Sequence, residues 1–130
     1  MNTAVATATP FDLIGGSDVV RRFVDRFYDL MEQEPQYAQL RALHAPDLAP
    51  MRESLTGFLT AWLGGPRDWF EQRPGACIMS AHAGIAITAE TADQWLDAMR
   101  RALLDARVDA GLSARISEAF ARMAAGMTRR

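Results

Sequence analysis

The side chains best suited to chemistry in this sequence are few. The chain has only two imidazoles, His44 and His82. His82 sits in a short apolar, Gly-containing stretch, ACIMSAHAGIAIT, just ahead of a helical segment. Burying an imidazole among small and apolar side chains costs free energy unless it finds a partner. Two partners serve: a backbone carbonyl, which makes His82 a core residue, or a metal ion, the commonest specialised use of neutral imidazole. Three further polar or aromatic residues interrupt apolar stripes. Tyr28 lies at the edge of one helical face, His44 at a turn, and Trp95 in the middle of an inward face. Taken singly, each has a plain reading: a boundary tyrosine with a wet hydroxyl, a loop histidine, a core tryptophan.

These residues are carried by segments with helical periodicity, separated by Gly and Pro. Phe11 to Ile14 is a short apolar turn. Ser17 is a candidate N-cap, and Val20, Phe23, Val24, Phe27, Leu30 and Met31 recur at helical spacing, predicting a helix from Asp18 to Glu34 that Pro35 ends. A short helix is expected over Gln36 to Leu43. Asp47 is the next N-cap candidate, with Pro50 in the first turn, where its missing N–H does no harm. Met51, Leu55, Phe58, Leu59 and Trp62 form one stripe, which Gly64-Gly65-Pro66 stops. A further turn of helix is expected over Arg67 to Arg73, and Pro74-Gly75 breaks it. Thr88 caps what reads as the longest helix, with Trp95, Met99, Ala102, Leu103 and Ala106 facing inward and Gly111 ending it. Ser113 caps a last helix bearing Ile116, Phe120, Met123 and Met127. No period-2 alternation or hairpin turn signal occurs. The fold class is all-α, with at least four substantial helices packed in pairs.

Composition narrows the function. The 130 residues are 49% hydrophobic and 23% charged, which fits a single domain with one sizeable core. The net charge is −2, so no basic face points to nucleic acid. With Cys77 as the single cysteine, no intramolecular disulfide forms, in keeping with a reducing cytoplasm. Residues 1–10 read as a flexible tail rather than a signal peptide, and 11–130 as the folded domain. No apolar run approaches the roughly 20 residues that span a bilayer, so no membrane partner is expected.

In order and spacing the chain resembles the group II truncated haemoglobins, short globins with a two-over-two helical sandwich. The matching stretches are IGG at Ile14 to Gly16, RFYDLM at Arg26 to Met31, ALH at Ala42 to His44 and Asp47-Leu48. They continue through WLGGP at Trp62 to Pro66, His82, and DQWLDAM at Asp93 to Met99. The resemblance spans about residues 11 to 125, and the paired glycines and the tryptophan of the long helix are its most specific signals. It implies non-covalent haem b, since no Cys-x-x-Cys-His occurs. His82 falls at the proximal, iron-binding position, and Tyr28, His44 and Trp95 fall at three polar positions on the distal side. Met51 and Leu55 fall on the distal helix, and Phe58, Met79, Ile87 and Met99 complete the expected haem contacts. A phenol, an imidazole and an indole all carry donors able to stabilise bound O2, which argues for tight binding, sensing or redox chemistry over simple delivery. His44 is also placed to become a sixth iron ligand.

The sequence departs from the family in one stretch. Related proteins usually carry arginines just before the proximal histidine, where they pair with haem propionates; Ala76 to Ala81 holds no charge. Ala83-Gly84-Ile85 stands where Pro-Phe is common. Arg52 and Arg73 are candidates to replace the missing arginines. Cys77 and Met79 are possible iron ligands in principle, but read as small apolar contacts at the haem edge. Three functions follow: reversible binding of O2 and other diatomic ligands; a haem enzyme that turns over nitric oxide or peroxide with an unidentified electron donor; or a globin-like domain without haem that acts by protein contacts. A monomer or a homodimer fits each.

Overall fold

The computed structural model of the chain describes residues 8–73 and 85–128. The described residues form seven α-helices, one 3-10 turn and no strand: α1 Pro10–Ile14, α2 Ser17–Gln33, the 3-10 turn Pro35–Tyr37, α3 Ala38–Ala42, α4 Ala49–Trp62, α5 Asp68–Glu71, α6 Ala89–Asp105 and α7 Ala110–Met127. The all-α expectation is borne out. The expected break at Pro74-Gly75, together with Cys77, Met79 and His82, lies outside the described residues. Among the described residues no helix is long and apolar enough to cross a membrane.

Helix α2 is the hub. It packs on α6 and α4, while α6 also packs on α7 and α4 on α5. Its stripe of Val20, Phe23, Val24, Phe27, Leu30 and Met31 is buried almost completely. Each such side chain contributes about 1.5–3 kcal/mol relative to exposure, so these residues anchor the helices that carry the site. Arg22 donates to the carbonyl of Ala106, and Arg26 to the carboxylate of Asp105, clamping α2 to the end of α6.

Several helix boundaries differ from those read in the sequence. Gly16, not Ser17, is the N-cap of α2, and Ser17 is already helical. Asp47 does accept a hydrogen bond, from the N–H of Ala49, but Leu48 occupies the cap position of α4. Thr88 caps α6 as expected, accepting from Thr91 N–H. That helix ends at Asp105, before Gly111, because Arg107 takes the left-handed conformation (φ 62°) that makes the turn. Gly111 therefore lies in the first turn of α7, whose cap is Asp109, accepting from Leu112 N–H at 2.9 Å. Ser113 is buried inside the helix instead. With 18 residues, α7 is longer than α6, which has 17.

The paired glycines do more than stop α4. Gly64 has φ +99°, the left-handed region that favours glycine, and a Cβ there would stand 2.9 Å from Thr9. A Cβ on Gly65 would stand 2.7 Å from the Phe11 ring. The pair lets α1 dock on the end of α4, fastened by the Phe11 N–H donating to Leu63 O at 2.9 Å. Thr9 caps α1 reciprocally with Asp12, and Pro10 is the first residue of the helix.

Candidate functional site

Helices α2, α3, α4, α6 and α7 enclose a cavity of about 310 Å³ with predominantly apolar walls. Tyr28 from α2, His44 from the turn after α3 and Trp95 from α6 all line it. Residues separated by up to 67 positions in the chain are thus brought to one cavity. Met51, Leu55 and Phe58 line it from α4, and Ile87 lines it from the segment before α6. Met99 does not: it lies one turn beyond Trp95, fully buried in the core. A shared helical face does not separate cavity wall from core. Met79 and His82 lie outside the described residues.

Tyr28 is almost completely buried. Burial pushes its phenol well above the ordinary tyrosine range, and the charge of Arg52 opposes that shift. It therefore stays a neutral O–H at physiological pH. Among the described residues its hydroxyl makes no hydrogen bond, and neither does the indole N–H of Trp95. Two donors at the walls of an apolar cavity are left for a molecule inside it. Edge-to-face contacts fix the rings: Tyr28 against His44 at 6.1 Å, and Trp95 against Phe27 at 6.0 Å and Phe120 at 5.1 Å.

His44 is set differently. Its Nδ1 lies 2.9 Å from the carbonyl of Leu40. A carbonyl only accepts, so Nδ1 carries the proton and, in the neutral ring, Nε2 carries the lone pair. The Nδ1–H of His44 is thus used on the backbone. Gln94 of α6 holds the same turn, its Oε1 accepting from Leu40 N–H at 3.0 Å and its amide donating to Gln39.

The sequence reading missed Trp69, Ser54 and Thr91 as wall residues, and Phe120 and Met123 on α7. The α7 pair repeats at helical spacing, which looks the same for core and for cavity wall. Trp69 had one signal. Gly57, a glycine inside α4, leaves room for it: a Cβ there would stand 2.8 Å from Trp69 Cδ1. The Trp69 indole N–H donates to Ser54 Oγ at 3.3 Å.

The two arginine candidates part ways. Arg52 is committed to α2, donating to Asp25 O and Oδ1 and to Asp29 Oδ1 at 2.8–3.1 Å. Arg73 is exposed and stacks on Trp69, its guanidinium carbon 4.9 Å from the ring centroid.

Residues 9–129 match the model of the bacterial-like globin family. The chain is 31% identical over 109 residues to the group 2 truncated hemoglobin YjbI of Bacillus subtilis, covering 84% of this chain and 76% of that protein. Its structure is similar to that of a group II 2-on-2 hemoglobin from Agrobacterium tumefaciens, with a TM-score of 0.91, 31% identity and 98% of each chain covered. A hemoglobin from Chloroflexus aurantiacus superposes with a TM-score of 0.85 at 33% identity, covering 95% of this chain and 99% of that one.

Proposed function

Because the chain belongs to the bacterial-like globin family, and within it to the group II truncated haemoglobins, we propose that it binds one haem b non-covalently, with His82 as proximal iron ligand, and reversibly binds O2 and related diatomic ligands. The observation that carries this reading is the convergence of Tyr28, His44 and Trp95 on one apolar cavity.

The residues present fit such a cofactor. The walls are apolar, as a porphyrin face requires, and the polar groups are few. Tyr28 and Trp95 offer donors that have no partner among the described residues. Haem, when bound, would supply an iron centre able to take a small diatomic ligand. The chain supplies the rest. Met51, Leu55, Phe58 and Ile87, which line the cavity, would offer apolar surface to the ring and exclude water. Tyr28 O–H and Trp95 N–H donate hydrogen bonds to a ligand that gains negative charge, each contributing about 0.5–1.5 kcal/mol and more where water is excluded. His44, which lines the same cavity, is the side chain we assign to the sixth position when no external ligand is bound.

Stopped-flow measurement of O2 release tests the distal assignment. Tyr28→Phe and Trp95→Phe are each expected to release O2 about three- to tenfold faster than the parent protein, as the loss of one hydrogen bond requires. Rates unchanged in both variants would remove these residues from ligand stabilisation.

A further inference from the structure

We propose that Arg73 is the cation that pairs with a carboxylate of the bound cofactor at the cavity rim, taking over the task for which the uncharged Ala76 to Ala81 segment has no side chain. The inference rests on the haem reading above.

Haem b is an apolar plate with two propionate carboxylates. Seating the plate in an apolar cavity brings those charges to its rim, where an unpaired carboxylate pays desolvation without return. Arginine is the side chain best matched to a carboxylate, with planar, paired donors. Among the described residues, Arg41, Arg52 and Arg73 bond to or stack on wall residues of this cavity. Arg41 donates to the carbonyls of Ala45 and Pro46, with Glu32 at 3.8 Å. Arg52 lies over Tyr28 but is paired with Asp25 and Asp29. Arg73 touches the wall through Trp69, on whose ring it stacks.

Arg73 alone of the three has no ion pair among the described residues. Its one hydrogen bond there is to Trp69 O, a weak one at 3.3 Å. The chain segments outside the described residues contain no Asp or Glu to claim it. Its platform is rigid: Trp69 is held by Ser54, by the edge of Phe58 at 5.5 Å and by the space that Gly57 leaves. Stacking on that ring orients the guanidinium and leaves most of its N–H groups open. Arg67 is a natural control. It is also exposed and stacks on an aromatic ring, Phe70, but Phe70 does not line the cavity.

The test measures loss of iron protoporphyrin IX to excess apomyoglobin, and of its dimethyl ester to the same scavenger. Arg73→Gln is expected to speed loss of the free-acid cofactor about three- to tenfold, the worth of one partly exposed charge-assisted hydrogen bond. It should leave loss of the ester unchanged, and Arg73→Lys should recover part of the difference. Added salt should speed loss from the parent protein more than from Arg73→Gln. Arg67→Gln should behave as the parent. Equal loss rates for parent and Arg73→Gln, or an equal change for acid and ester, would overturn the pairing while leaving the haem reading intact. Failure of the parent chain to take up either porphyrin would overturn the haem reading itself.

Discussion

Arg52 of α4 lies over the ring of Tyr28 of α2, its guanidinium carbon 5.6 Å from the ring centroid, while its N–H groups reach Asp25 and Asp29 on the same helix as the tyrosine. One side chain thus crosses between the two helices, covers the phenol and is itself held in place. Helix α4 and the tyrosine that lines the cavity are set relative to each other by this crossing. The Asp25 and Asp29 carboxylates are spaced one helical turn apart, so both meet the guanidinium from one face.

Tyr28 gives a prediction in alkaline solution. Its folded phenol ionises at higher pH than an exposed one, chiefly through burial and against the opposing charge of Arg52. A group with a raised folded pKa contributes stability that is present in full below its unfolded pKa, about 10 for tyrosine, and lost as pH rises toward the folded value. Urea unfolding of the haem-free protein should therefore show the parent losing more stability between pH 9 and 11 than Tyr28→Phe, as an order-of-magnitude window. Parallel pH profiles would contradict the buried placement. At pH 7 the two should differ by less than about 1 kcal/mol, because the hydroxyl has no partner among the described residues.

Gly57 should resist replacement by alanine. In an exposed helix interior that change gains about 1 kcal/mol. Here the added Cβ would stand 2.8 Å from Trp69 Cδ1, and overpacking costs about 1–3 kcal/mol. Thermal unfolding is expected to show Gly57→Ala as net destabilising. In a Trp69→Ala background the same change should become stabilising. A double-mutant cycle without coupling would show that Trp69 does not pack there.

Asp109, not Ser113, caps α7. Asp109→Ala should lower stability by about 1 kcal/mol. No loss at Asp109, together with the full capping loss on removing the Ser113 hydroxyl in Ser113→Ala, would restore the boundary expected from sequence.

How much of this was legible in the sequence depends on which physics set each feature. The stripe on α2 was readable because Val20, Phe23 and Phe27 face one core and nothing else. The gathering of Tyr28, His44 and Trp95 followed from resemblance; periodicity alone left each with a plain reading. Trp69 was hidden because its place depends on Gly57, twelve positions earlier in the chain but adjacent in space. Met99 was assigned to the cofactor because it shares a helical face with Trp95, and only packing shows that this face runs from cavity into core. Arg107 in a left-handed turn was missed because glycine is the residue expected there, and Gly111 lay nearby. The contact of His44 Nδ1 with the carbonyl of Leu40 is one that no spacing reveals.

The central claim is tested most directly by the absorption spectrum of the haem-reconstituted chain beside His82→Ala, in ferric and ferrous states. The account predicts stoichiometric uptake with an axial-histidine spectrum in the parent, lost in the variant. An identical spectrum in His82→Ala would show that another side chain holds the iron, and no uptake by the parent would contradict the account altogether.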